Sequence, residues 1–155
     1  MKLATASLAA ALALATALPA SAQTQKPEDE IRYRQSVLNV VGRAMGPMGA
    51  MAQGKAPFNA AVVQKNSALI ETMMSLPWDS FGAGTDKGAP TKADMKIWKE
   101  AAKFKQAAES SQKASTALVA AAKGGNEAAF KAAFGELGKT CKGCHDDFRL
   151  KEFRN

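Results

Sequence analysis

Cys141, Lys142, Gly143, Cys144 and His145 stand consecutively near the end of the chain. Two thiols three residues apart, followed at once by an imidazole, form a chemically specific set. On a helix, positions i and i+3 share a face and i+4 lies beside them. Cys141, Cys144 and His145 can therefore all meet one edge of a flat macrocycle. That is the chemistry of a c-type haem, in which both thiols add across vinyl groups as thioethers and the imidazole becomes an axial iron ligand. The expected cofactor is one covalent haem c, with His145 as the metal ligand.

Other uses of the motif fit less well. A thioredoxin-like dithiol opens a helix in a βαβ setting, and no strand-rich stretch precedes this one. A structural zinc ion takes four ligands, whereas the chain holds two Cys and one His in all. A plain disulfide remains open, but it would leave the adjoining His as coincidence. A single His, already committed, also excludes a His-based hydrolase.

The first 22 residues read as a cleaved secretory signal: Lys2, an apolar run from Leu8 to Leu18, then the small residues Ala20-Ser21-Ala22. The apolar run is too short to span a membrane. Residues 23–155 then form one domain. Export to the bacterial periplasm agrees with haem attachment, and it also keeps the disulfide reading alive because exported thiols are normally oxidised. The net charge of +7 falls to +6 when Lys2 is removed. That balance suits anionic partners, such as an acidic redox protein or lipid headgroups. Nucleic acid is not a sensible partner for an exported protein, and no stable membrane insertion is expected. The cations are spread along the helices, as on a solvated face.

Four helical segments must position the motif. The first opens at Pro27-Glu28-Asp29-Glu30, with Pro and acids suited to a first turn. Its stripe is Ile31, Leu38, Val41, Met45 and Met48, and Gly46-Pro47 is expected to kink or interrupt it. The second starts at the N-cap Asn59 and carries Val62, Leu69, Met73 and Leu76 before Pro77. Residues 77–91 form the longest loop, and Thr91 with Asp94 resembles a capping box. The third runs from about Lys92 to Lys123, with Ile97, Ala101, Phe104, Ala108 and Leu118 inward, and Gly124-Gly125 ends it. Asn126 caps the fourth, where Phe130, Phe134, Leu137, Cys141, Cys144 and Phe148 alternate steps of four and three. The cysteines lie on that seam, so the haem belongs in the core. The fold class is all-α, an antiparallel four-helix bundle.

Arg34 falls on the inward stripe of the first helix, an odd place for a charge. A buried cation needs a partner, and a haem propionate would serve. The sixth iron position is open to several readings. One of six remaining Met residues could ligate and give a low-spin electron carrier, but Met is usually core filler. An apolar neighbour would instead leave a five-coordinate, gas-binding iron.

A haem motif close to the end of a four-helix chain resembles the class II c-type cytochromes, specifically the cytochrome c' family. The resemblance covers residues 26–153. It is carried by Lys26-Pro27-Glu28-Asp29 through Arg34-Gln35-Ser36, by Leu76-Pro77-Trp78, and by Cys141 to Arg149. It implies that Leu38 faces the open side of the haem, where the Met-ligated branch carries Met. It implies that Arg149 and Phe148 lie on the proximal side, that Arg34 and Gln35 meet a propionate, and that Trp78 lies near the haem. A core Trp and an exposed, helix-terminal Arg fit these last positions as well.

The function implied is a mono-haem, five-coordinate, redox-active cytochrome that binds nitric oxide and carbon monoxide, without being an enzyme. A weak peroxidase would lack a distal His or Arg. Homodimerisation is common in the family, and no redox partner is indicated. The rival is an electron-transfer protein with Met45 as sixth ligand.

Overall fold

The computed structural model describes residues 25–153, so the expected signal at residues 1–22 lies outside the described residues. Four long helices carry the structure: α1 (Pro27–Ala52), α2 (Ala60–Met74), α4 (Ala101–Lys123) and α5 (Glu127–Phe148). A one-turn α3 (Lys96–Lys99) precedes α4. Short turns join α1 to α2 and α4 to α5, which makes each of those pairs antiparallel. Gln64 Nε2 donates to the Ala122 carbonyl at 3.3 Å and Gln112 Nε2 to the Met74 carbonyl at 3.3 Å. Positions rise along α4 as they fall along α2, so that pair is antiparallel too. The result is an up-down-up-down four-helix bundle. Among the described residues no strand forms, and no helix is long and apolar enough to cross a membrane.

Local chemistry explains most boundaries. Pro27 sits in the first turn of α1 with Glu28, Asp29 and Glu30 beside it, where a missing donor costs nothing and acids favour the helix dipole. Asn59 Oδ1 accepts from Val62 N, and Asn126 Oδ1 accepts from Ala129 N, which confirms both N-caps. Gly125 takes φ +63° and turns the chain out of α4 in the left-handed region that glycine enters freely.

Several expectations are corrected. Helix α1 continues through Pro47 without interruption, because Gly46 and Pro47 both face solvent and the packed face is unaffected. The buried set on α1 is Ile31, Arg34, Val37, Val41, Ala44, Met48 and Met51, which leaves Leu38 and Met45 half-buried on its flank. On α2 the inward residues are Val63, Ser67, Ile70 and Met74, one position along from the expected stripe, and Leu76 is exposed. Adjacent apolar residues lie about 100° apart on a helix, so periodicity alone cannot decide which of two neighbours points inward. The third helix does not run unbroken from Lys92. Glu100 leaves helical geometry at φ −118°, ψ 45°, and Ala101 is exposed. The cap there is Asp94, whose Oδ1 accepts from Lys96 N, while Thr91 Oγ1 accepts from Ala93 N.

The core falls into two clusters. The larger runs through α1, α2, α4 and α5 around Met48, Ile70, Leu118, Phe130 and Leu137. The smaller joins Ile97, Phe104 and Phe148, and Trp78 packs against both. Fully buried Phe130 stacks between Phe58 and Phe134 at centroid distances of 5.8 and 5.6 Å. Truncation there leaves a large hole. Phe130→Ala should cost about 3–5 kcal/mol in denaturant unfolding with an unchanged helical far-UV signal; a loss below about 1 kcal/mol would contradict this packing.

Candidate haem-attachment site

The motif lies in the last two turns of α5, and that helix is long enough to hold it because Asn126 caps one end and Phe148 anchors the other. Cys141 is half-buried against the larger cluster, and Cys144 is half-buried against the smaller one. Both thiols are free. His145, the next residue, keeps an exposed edge. A Cβ placed on Gly143 would meet nothing within 4 Å.

Helix α5 packs mainly along α4, and α1 touches it as well. A Cβ at Gly49 would sit 3.8 Å from the Phe134 ring, a contact between the antiparallel α1 and α5. Eleven residues on from Phe134 is His145; eleven back from Gly49 is Leu38. Counted from that one contact, Leu38 comes to about the level of His145. Met45 lies seven residues further along α1, about 10 Å along its axis at 1.5 Å per residue. Met48, Met51 and Met74 are buried in the larger cluster, and Met48 Sδ accepts from Ser67 Oγ at 3.8 Å.

Electrostatics keeps both thiols protonated and the imidazole neutral. Burial raises the Cys141 thiol, against a lowering contribution from the Thr140 side chain. Burial, then Cys141 and Asp147, push Cys144 up to about 11. His145 is held below the ordinary imidazole value by partial desolvation and by the Arg149 cation, with Asp146 opposing. A neutral imidazole is the form that ligates a metal.

Arg149 leaves the helix. It is extended at φ −107°, ψ 142°, its N–H donates to the His145 carbonyl at 3.1 Å, and it forms an antiparallel bridge with Ala93. Flanking bonds run from Asp94 N to the Phe148 carbonyl (2.8 Å) and from Leu150 N to the Lys92 carbonyl (2.9 Å). Arg149 is thus the C-cap of α5, one turn beyond His145, and its charge acts on the imidazole. Phe148 is buried and meets Phe104 edge-on at 5.3 Å. Trp78 stands where the two clusters meet, with Nε1 donating to the Met74 carbonyl and its ring against Phe81 and Phe104.

Arg34 is 2% exposed, as its place on the stripe predicted, and oxygens of the following loop surround its guanidinium. Nη1 donates to the Ser80 carbonyl (2.8 Å) and Thr85 Oγ1 (2.9 Å); Nη2 donates to the Thr85 carbonyl (2.8 Å) and Thr91 Oγ1 (3.3 Å). The guanidinium also lies 4.4 Å from the Phe81 ring centre. Gln35 Nε2 donates to the Pro90 carbonyl at 2.9 Å. Both side chains thus clamp the 80–91 loop, and Arg34's four terminal N–H groups are satisfied without a propionate. Ser80, Thr85 and Thr91 were missed in the sequence. Their only signal was hydroxyl residues spaced through a Gly- and Pro-rich segment, which is also what any loop shows.

The donor set can be tested against haem. No group of three or more His, Cys, Asp or Glu that could hold a metal ion occurs among the described residues. Iron would therefore have to arrive with its own equatorial ligands. One imidazole, two thiols on one helical face and an apolar side chain at about their level meet that requirement. Fold and site together define a c-type cytochrome built on a four-helix bundle.

Comparison with known proteins names the family. The family model for cytochrome c' matches residues 29–149. The chain is 50% identical over 129 residues to cytochrome c' of Rubrivivax gelatinosus, covering 83% of this chain and all of that one. It is 41% identical to that of Alcaligenes xylosoxydans xylosoxydans, over 84% of this chain and all of the relative. The solved Rubrivivax gelatinosus structure superposes with a TM-score of 0.79, covering 82% of this chain and 99% of that chain. This chain belongs to the cytochrome c' family.

The thiol environment generates a measurement. In the reduced, haem-free protein at pH 8, Cys144 alkylation should run roughly two hundredfold slower than an ordinary thiol of pKa ~8.5, and rise steeply toward pH 11. An ordinary rate at pH 8 would show that Cys144 is not desolvated.

Proposed function

We infer that the chain is a periplasmic cytochrome carrying one haem c, with a five-coordinate iron that binds nitric oxide and carbon monoxide. Its role is sequestration or tolerance of nitric oxide, with a redox-active haem. Cys141 and Cys144 hold the macrocycle, and His145 is the axial ligand. When bound, the haem supplies an iron that takes diatomic ligands and changes oxidation state by one electron.

The observation that supports this reading is Leu38, half-buried on α1 and brought to about the level of His145 by counting along both helices from the Gly49–Phe134 contact. A leucine neither ligates iron nor donates a hydrogen bond. It excludes water and admits small uncharged ligands against a steric barrier. The same count argues against Met45 as sixth ligand. The relatives add support: solved structures from Alcaligenes xylosoxidans include nitric oxide complexes of leucine-substituted variants and of an arginine-to-lysine variant. Leu38 and Arg149 are the residues to which we assign those two environments here. Trp78 and Phe148 wall the site, and Arg34 with Gln35 fixes the loop that follows Trp78. A homodimer, a cleaved export signal and the absence of catalytic turnover complete the proposal.

Absorption spectra of the haem protein, ferric and ferrous, test the open position. A high-spin ferrous spectrum that changes promptly with nitric oxide is expected; a low-spin ferrous spectrum indifferent to the gas would make this an electron carrier with a sixth protein ligand. Met45→Leu should leave the spectrum unchanged. Leu38→Ala should speed carbon monoxide binding at least about tenfold, equivalent to ~1.4 kcal/mol off the barrier. An unchanged rate would remove Leu38 as the gate.

A further inference from the structure

Among the described residues, Arg34 is the only charged side chain that the protein encloses fully. Its guanidinium bonds neutral groups: the Ser80 and Thr85 carbonyls and the Thr85 and Thr91 hydroxyls. No carboxylate of the described residues forms an ion pair with it. The acid that acts on it is Glu30, one turn earlier on α1 and half-buried, so water screens part of that charge. A unit of positive charge is therefore held inside the bundle without a bonded counter-charge.

That charge abuts the attachment site. The guanidinium carbon lies 4.4 Å from the Phe81 ring centre and 5.8 Å from that of Trp98. Trp98 is itself held, its Nε1 donating to the Gly82 carbonyl at 2.9 Å. Phe81 and Trp98 both pack against the cluster of Ile97, Phe104 and Phe148, and so does Cys144. The cation and one of the two attachment thiols thus border the same aromatic cluster. Leu38 follows Arg34 by one turn of α1.

Charges in a protein interior interact more strongly than in water and are little screened by salt. The two oxidation states of a haem differ by one unit of charge, so a buried cation beside it disfavours the ferric state more than the ferrous. We propose that Arg34 sets the redox balance of the iron, its buried charge holding the haem ferrous, the form that takes carbon monoxide, over a wider range of potential. The inference rests on the reading of the chain as a haem cytochrome. In the couple concerned, one electron from an external one-electron donor turns ferric iron ferrous; no bond is made or broken, and Arg34 stays protonated throughout. The sign holds equally if a propionate meets the guanidinium, because removing Arg34 then leaves that carboxylate uncompensated.

The test is a spectroelectrochemical titration of the haem protein at pH 7, at low and at high salt. At the potential where wild type is half reduced, Arg34→Gln should lower the ferrous-to-ferric ratio about tenfold, equivalent to ~59 mV for a one-electron couple. The shift should persist at high salt, as for a charge out of reach of ions. Arg34→Lys keeps the charge but not the planar fork, and should change the ratio by less than about threefold. Arg32→Gln removes an exposed cation two residues away, and at high salt should change the ratio by less than about twofold. Glu30→Gln leaves the loop clamp intact and removes the opposing acid, so the ratio should rise about twofold at low salt.

Equal shifts in Arg34→Gln and Arg34→Lys would overturn the proposal, since release of the loop and not loss of charge would then move the couple. An unchanged or raised ratio in Arg34→Gln would overturn it as well. If neither Arg34 variant folds, Glu30→Gln decides, and a ratio that fails to rise there sinks the idea. A wild type with no haem absorption band or no reversible one-electron couple would count against the haem reading itself, a distinguishable result.

Discussion

A buried guanidinium organises the part of the structure that the bundle alone leaves undetermined. Moving an unpartnered cation out of water costs several kcal/mol even after relaxation, so Arg34 on the inward face of α1 is tolerable only if oxygens surround it. The 80–91 loop supplies them from Ser80, Thr85 and Thr91, and Phe81 adds its ring face. Burial lowers the Arg34 pKa and Glu30 opposes that, yet an arginine stays charged in a protein. The loop is consequently pinned to the first turns of α1. Gly88 comes so close to Pro27 that a Cβ there would stand 3.2 Å from the proline Cβ, at a φ of +111°. Only glycine takes that conformation without strain.

That pinning also fixes what adjoins the loop. Trp78 lies just before it, where the two core clusters touch, so a displacement of the loop would disturb both. Cys141 reaches one cluster and Cys144 the other, which places the two attachment points across the same junction. At the far side, the Ala93–Arg149 pairing ties the end of α5 to the segment before α3. The end of α5 that carries the Cys-x-x-Cys-His motif is thus held by packing against Phe104, by backbone pairing and by the loop that Arg34 retains. A single rigid helix would not have sufficed.

The arrangement also separates two jobs within five residues. Desolvation keeps both thiols protonated at neutral pH, which discourages stray thiolate chemistry. Partial desolvation and the nearby Arg149 cation keep His145 neutral, the form in which a ring nitrogen has a lone pair to give. The same features that make Cys141 and Cys144 inert as free nucleophiles place them on the seam where an apolar macrocycle would be received.

Much of this was legible in the sequence. The Cys-x-x-Cys-His spacing, the Asn59 and Asn126 caps, the seven-residue seam on α5 and the buried charge at Arg34 are local features, set by residue type and helical period. The α2 stripe was misread by one position because Val62-Val63 and Met73-Met74 offer two neighbouring apolar choices. Only packing within the larger core cluster selects Val63 and Met74. Leu38 against Val37 is the same ambiguity on α1. The partner of Arg34 could not be read at all, because the oxygens that bond it are 46 to 57 residues away along the chain. The break at Glu100 and the bridge between Ala93 and Arg149 are likewise products of distant segments meeting. Sequence determined which groups could attach and ligate a haem, since that chemistry is local to one helix. Tertiary structure decided what faces them and what holds them, since both depend on the register between helices that no single helix contains.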